Sequence, residues 1–330
     1  MLDPSAPLPL IHFDDIMREP LLPVDWLVRP ILAREDRAVW YGSFGSFKSW
    51  LMLHLAIHLA AGRDWLGFPI SHSLRVLYID EEMNERTLRR RVKRLGMGAG
   101  IEGLGLNTLA MMSRVGVRFT EQGAYRLVSA IKASPFQPEV VIVEALRRVL
   151  VGDENHASDV AGFWRNVEPL CRGRTFLLTH HMKKPQGEGQ GATRDQASGS
   201  TDILAGPDAG FGVKSLGDNQ IVVECVKVRE GEIIKPFGAR FREHGEQGPV
   251  EMLAEATPIE TKTDRALDLL LDYLAGLESA RTADIHAYLE SQGVEHRTGE
   301  RALTRARAEG KVNQVQQGLW ALDETFRQAS

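Results

Sequence analysis

The stretch Ala38-Val39-Trp40-Tyr41-Gly42-Ser43-Phe44-Gly45-Ser46-Phe47-Lys48-Ser49-Trp50-Leu51 decides how the rest of the chain is read. Residues 38–41 are an apolar run of strand length, and residues 49–61 are apolar nearly all round a helix. Between them, Gly42-x-x-Gly45-x-Phe47-Lys48-Ser49 stands one residue away from the phosphate-cradling pattern G-x-x-x-x-G-K-[ST]. Such a loop wraps phosphates in backbone N–H groups and adds the positive end of the following helix. Lys48 is then expected to reach the β- and γ-phosphates and the Ser49 hydroxyl to ligate Mg²⁺. Gly42, Ser43, Gly45, Ser46, Phe47, Lys48, Ser49 and Trp50 are the expected nucleotide contacts. Phe47 stands where the pattern wants glycine, which lets backbone approach phosphate closely. The structural alternative is a glycine-rich turn before an ordinary core helix. The strand, loop, Lys-Ser pair and helix arrive in the required order, which favours the cradle.

Composition narrows the class. The chain has 330 residues, 43% of them hydrophobic and 25% charged, which reads as about two ordinary globular domains. A net charge of −4 gives no general basic field, so any nucleic-acid site must be local. Cys171 and Cys225 have no metal-like spacing and read as reduced thiols. No run reaches the roughly 18 apolar residues of a membrane span, and the N-terminus lacks a basic leader, so a cytoplasmic protein is expected.

Residues 1–30, rich in proline and leucine, read as an extended arm that straps its own domain or a neighbouring subunit. Residues 74–80 read as a second strand, followed by Glu81-Glu82 and a basic helix over 85–95. An acid at the C-terminal end of such a strand is where a parallel α/β sheet places its chemistry. Glu82 is thus a candidate to polarise an attacking water, although acids are also favoured at any helix start. The run Arg89-Arg90-Arg91-Val92-Lys93-Arg94 reads as a solvated helix face before it reads as a nucleic-acid contact.

Residues 122–134 form a predicted helix, and 140–143 the most apolar strand, closed by Glu144. An acid there is the usual second magnesium anchor, normally Asp; the longer Glu144 must be set back or act through water. A polar loop over 149–158 and a helix over 159–172 come next. The strand at 175–179 ends in His180-His181, a polar strand end able to sense a γ-phosphate or hold water. Metal binding by this pair lacks the other ligands it would need. His54 and His58, four apart on an apolar helix, read as packing residues. The glycine- and serine-rich loop 182–200 carries Lys183, Lys184, Arg194 and Asp195 and is a candidate contact for a polyanion. Strands at 210–215 and 219–228 follow, the second running into Lys227-Val228-Arg229-Glu230-Gly231.

Residues 243–262 read as a linker. Beyond it, helices at 264–275, 282–291 and 297–309 and a hairpin over 311–322 turning at Gly318 give a winged helix-turn-helix pattern, placed at 263–325. Arg297, Arg301 and Arg305 fall on one face of the third helix, with Lys311 nearby, a stripe that suits phosphates along a groove. The alternative reading of the module, weaker than DNA binding, is an interaction-only winged helix.

Over about residues 20–240 the chain resembles the RecA-like ATPases of the plasmid RepA and DnaB hexameric helicase type. The resemblance rests on Gly42 to Ser49, Tyr78-Ile79-Asp80-Glu81-Glu82-Met83, the 140–144 strand, and Leu178-Thr179-His180-His181, met in that family's order. It implies an α/β, RecA-like core over 31–242 that binds ATP and Mg²⁺, with Glu82 as catalytic acid-base and His181 as sensor. Lys227-x-Arg229-x-Gly231 matches the family's K-x-R-x-G, in which Lys and Arg reach a neighbour's γ-phosphate. That implies a shared site and a ring or filament, hexameric in this family. Lys183, Lys184 and Arg194 then face single-stranded DNA in the channel, with duplex DNA at the winged helix. Phe47 and Glu144 depart from the family pattern at phosphate and metal placement, which points to slow hydrolysis. Three functions stay open on sequence: a replicative DNA helicase of a plasmid, phage or integrated element, an ATP-gated DNA-binding scaffold, and a filament-forming recombinase.

Overall fold

The computed structural model of the protein describes residues 10–105, 107–181, 202–255 and 262–323. In chain order its first elements are α1 (Phe13–Arg18), β1 (Trp26–Val28), β2 (Leu32–Ala33), β3 (Arg37–Gly42), α2 (Lys48–Ala61), β4 (Val76–Asp80) and α3 (Glu85–Gly98). There follow β5 (Leu109–Ser113), α4 (Glu121–Ala133), β6 (Val140–Glu144), α5 (Leu146–Val149), α6 (Ala157–Cys171) and β7 (Thr175–His181). Next come α7 (Asp202–Ala205), β8 (Ala209–Gly217), β9 (Gln220–Lys227), β10 (Phe237–Glu243) and β11 (Val250–Glu255). The C-terminal part is α8 (Lys262–Ala275), β12 (Ala280–Arg281), α9 (Thr282–Ser291), α10 (His296–Ala308), β13 (Val312–Gln316) and β14 (Leu319–Leu322).

One mixed sheet organises the described residues up to Glu255, in the order β11-β10-β9-β8-β3-β7-β6-β4-β5. From β8 to β5 every neighbour is parallel, and β9, β10 and β11 extend the sheet as antiparallel strands. Parallel neighbours need crossover helices, which cover both faces and bury the strands from both sides. Hence β6 reads Val-Val-Ile-Val without alternation. Its residues nonetheless divide between faces: Val140 and Ile142, with Val76 and Tyr78, pack toward α2, while Val141 and Val143, with Leu77 and Ile79, pack toward α4 and α6. The α/β class expected from the sequence is the one observed.

Some boundaries differ from expectation. The 243–262 linker is corrected: residues 250–255 are β11, paired with β10 from Gly238↔Glu255 to Glu243↔Val250. The basic run of α3 is not simply a solvated face. Arg94 is buried and donates to the carbonyls of Gly245 and Gly248 and to Glu243, so it ties α3 to the β10–β11 turn. Gly98 of α3 lies so close to β11 that a Cβ there would meet Val250 O at 2.0 Å. The N-terminal arm contains α1, none of whose residues is buried, and β1, which pairs with β2.

The C-terminal module packs α8, α9 and α10 with the sheet β12-β14-β13 around Leu267, Leu270, Leu274, Ile285, Leu303 and Trp320. The predicted helices and hairpin are found within two residues of their expected bounds, and β12 is additional. Among the described residues no helix is long and apolar enough to cross a membrane.

Candidate nucleotide site

The parallel register brings the C-terminal ends of β3, β7, β6 and β4 to one edge of the sheet, so Gly42, His181, Glu144 and Asp80 end their strands side by side. This edge is where an open α/β sheet places its ligands. The loop leaving β3 turns at once into α2. Gly42 cannot be another residue, because a Cβ there would meet Val213 O at 2.1 Å. Ser46 is buried, and Gly45 takes φ +79°, in the left-handed region that glycine occupies freely.

Phe47 also takes that conformation, with φ 60° and ψ 15° at the N-cap of α2. The left-handed turn the motif asks for is therefore made, at a cost of about 1 kcal/mol that glycine would avoid. The side chain leaves the loop altogether: its ring stacks on Phe241 of β10, with centroids 4.5 Å apart and planes at 24°. Phe47 is thus a packing residue whose backbone belongs to the loop. Trp50, in the first turn of α2, has the Arg91 guanidinium 4.6 Å from its ring centroid. Phe44 at the loop tip is exposed, its ring 6.1 Å from that of His181.

Lys48 folds back into the loop and donates to Gly42 O at 2.8 Å, Ser43 O at 2.8 Å and Ser46 Oγ at 3.1 Å. Burial lowers its pKa to about 8, against the pull of the nearby Glu144 and Glu82 carboxylates. A buried ammonium held by neutral oxygens is poised to exchange them for a phosphate. Ser49 Oγ donates to Glu144 Oε1 at 2.5 Å, and the Tyr78 hydroxyl donates to Glu144 Oε2 at 3.2 Å. Burial raises Glu144 to about 7, partly offset by the Ser49 hydrogen bond. The longer acid is thus accommodated by two hydroxyls that bracket it.

Asp80 shapes the turn after β4: the N–H groups of Glu82 and Met83 donate to its Oδ1 at 2.8 and 2.7 Å. Arg114 donates to the Glu82 carbonyl. With its backbone so held, Glu82 presents Oε1 to His181 Nε2 at 3.4 Å and to Arg148 Nε at 3.8 Å. The His181 hydrogen bond, then the charges of His181, Arg148 and Lys48, hold the Glu82 carboxyl below its usual range against burial. It is an ionised carboxylate at neutral pH, open on one side, as a group that orients water must be. The residues also fit a magnesium ion: a hydroxyl and a carboxylate converge at Ser49–Glu144 in a buried space, and Asp80 Oδ2 is buried there with no partner among the described residues.

The other expected site residues lie apart. Lys227 pairs with Gly210 at the start of β8, and its ammonium is enclosed by the carbonyls of Leu204, Ala205 and Pro207 at 2.7 to 3.0 Å. Arg229 pairs with Asp208 at 2.9 Å, and Asp208 also receives the Arg37 N–H. Arg229 is thus level with the start of β3, five residues and roughly 16 Å before Gly42 along the strand. Neither cation reaches the loop of its own chain. On α10, Arg305 is engaged by Asp264 and Glu309, each at 2.6 Å, and Lys311 by Glu309 at 2.7 Å, so the expected cationic stripe is partly neutralised. Arg297 and Arg301 occupy the same helix. Lys183, Lys184 and Arg194 lie outside the described residues. Sequence reasoning quoted Tyr78 and Asp80 without giving them a role and missed Arg148; the register of β4 against β6 reveals the first two, and the contact of α5 with Glu82 the third.

A parallel sheet with a Lys-Ser loop at its edge, facing acids on two further strands, defines the P-loop ATPase class. The chain belongs to the AAA domain family AAA_25, whose model matches residues 3–187. Among solved structures it is similar to the ATPase domain of another protein, with 11% identity and a TM-score of 0.48 over 66% of this chain and 86% of that one. No curated protein matches it in sequence.

Proposed function

We propose that this chain is a DNA-dependent ATPase motor of the replicative helicase type, serving a plasmid, phage or integrated element, with a C-terminal winged-helix module that contacts duplex DNA. The observation that carries the reading is the meeting of Glu82 and His181 at 3.4 Å, on the strand edge that also holds Lys48, Ser49 and Glu144. Membership of the AAA domain family supports the nucleotide chemistry. The motif order that resembles the RepA and DnaB helicases supports the motor.

Lys48 exchanges its loop oxygens for the β- and γ-phosphates, and the loop N–H groups take the remaining phosphate oxygens. Ser49 and Glu144 would hold magnesium, which would supply charge neutralisation at the phosphates. Glu82 accepts a proton from the attacking water as the bond to the γ-phosphate breaks, and His181 relays the presence of that phosphate to the Glu82 carboxylate. Lys227 and Arg229, remote from their own loop, serve the nucleotide of the next subunit in a head-to-tail ring, hexameric as in the family it resembles. Lys183, Lys184 and Arg194 line the path of single-stranded DNA.

Steady-state ATP hydrolysis with and without single-stranded DNA, beside Lys48→Ala and Glu82→Gln, tests this. DNA-stimulated turnover in the parent, lost in both variants, is expected, with nucleotide binding lost only in Lys48→Ala. Binding without turnover in the parent would instead favour an ATP-gated scaffold. The Ser49–Glu144 hydrogen bond is what favours that second reading, because the pair must open to admit the cation.

A further inference from the structure

Asp80 and Glu144 are directly paired across β4 and β6, and both are buried, at 0% and 1% exposure. Directly paired residues share a face, and two positions earlier Tyr78 and Ile142 pack toward α2. The two acids therefore stand side by side on the face that carries the Lys48-Ser49 turn. Three of their four oxygens are engaged: Glu144 Oε1 by Ser49, Glu144 Oε2 by Tyr78, and Asp80 Oδ1 by two backbone N–H groups. The fourth, Asp80 Oδ2, is buried and has no partner among the described residues.

A turn of this kind needs one side-chain acceptor, which Asn or Ser supplies as well. It does not need a buried carboxylate with a spare oxygen, a group that costs free energy unless something claims it. Lys48 does not claim it, since its ammonium is spent on Gly42, Ser43 and Ser46. Two adjacent buried carboxylates call for a cation between them and the phosphates. Magnesium is bound through one or two carboxylates with substrate phosphates and keeps part of its water.

We propose that Asp80 is the second carboxylate of the magnesium site, its free Oδ2 accepting a hydrogen bond from the hydrated cation that Ser49 and Glu144 hold. This rests on the Mg-nucleotide reading of the loop. The acid normally found at the end of β6 is in effect shared between two strands: a longer Glu on β6 pinned by Tyr78, and an Asp across from it on β4.

Asp80→Asn separates this role from the turn, because its amide oxygen still receives the Glu82 and Met83 N–H groups while Oδ2 becomes a donor. Binding of a fluorescent ATP analogue is followed as Mg²⁺ is added and again in EDTA, with urea denaturation alongside. Asp80→Asn is expected to keep the parent's stability and its affinity in EDTA, and to need at least 10-fold more Mg²⁺ for half-maximal tight binding. Asp80→Ser, which keeps the turn acceptor and lacks Oδ2, should shift the same way and serves if the amide variant does not fold. Glu144→Gln is the comparator. If it raises the Mg²⁺ requirement and neither Asp80 variant does, Asp80 is only a turn former and the inference is overturned. If binding of nucleotide to the parent ignores Mg²⁺, the underlying site reading fails instead.

Discussion

Phe47 and Phe241 stack at 4.5 Å between the phosphate loop and β10, and this contact explains how a bulky residue occupies the glycine position of the loop. Its backbone is left-handed while its side chain is anchored on a strand well away from β3 in the sheet. The two effects have opposite signs. Phe47→Ala loses the ring contact and keeps the strained backbone, whereas Phe47→Gly loses the contact and relieves the strain. Chemical denaturation should therefore rank parent above Phe47→Gly above Phe47→Ala, the last two separated by about 1 kcal/mol. Equal stability of the two variants would mean that the left-handed turn is not strained.

His181 touches Glu82 and nothing else of the charged machinery in the described residues. His181→Ala should thus leave nucleotide affinity within a few-fold of the parent and cut turnover by about 10²-fold, the lower range for a positioned proton-transfer partner. Parallel titrations of binding and kcat check the split. A matching loss of affinity would mean that His181 holds the phosphate in the ground state and does not act in the hydrolytic step alone.

His54, on the buried side of α2, is pushed down to about 3 by burial and then by the adjacent His58. The unfolded chain protonates it near 6.5, so between about 6.5 and 3 the unfolded state binds the extra proton. Its contribution to stability is intact above 6.5 and is lost as pH falls through that window. Denaturation midpoints of His54→Leu should fall less steeply than the parent's from pH 7 to 5. Glu144, raised to about 7, acts in the opposite sense in both proteins and cancels in the comparison.

Gly98→Ala tests the docking of β11 against α3, since the added methyl would meet Val250 O at 2.0 Å. Overpacking of this kind typically costs roughly 1–3 kcal/mol. A shift of that size in the urea midpoint is expected, and a neutral result would mean that β11 does not lie against α3 in solution.

The strands that carry the nucleotide site were readable because both of their faces are covered: β3, β6 and the apolar part of β7 are uninterrupted hydrophobic runs. β10 and the two ends of the sheet were not. At β5, Leu-Ala-Met-Met-Ser is half-buried throughout, and at β11 the strand follows Gly245, Gly248 and Pro249 and carries Glu251 and Glu255 among its apolar residues. Edge strands cover one side only, so their hydrophobic signal is weak, and glycine with proline imitates a linker. In the site, Lys48, Ser49, Glu82, Glu144 and His181 could be found because motifs and strand ends are local. Tyr78 and Asp80 acquire meaning only from their register against β6, and the pairing of Arg305 with Asp264 only from the packing of α10 on α8.

The central place of β3 sets how the molecule opens. It is hydrogen-bonded on both sides, to β7 and β8, and its residues from Ala38 to Tyr41 are buried. Amide protons of Val39 and Trp40 can then exchange with solvent only when the whole domain unfolds, while those of β5 and β11 escape through fraying of the rims. The phosphate loop thus hangs from one of the fully enclosed interior strands, and a nucleotide that rigidifies the loop should leave those amides unchanged until it raises global stability.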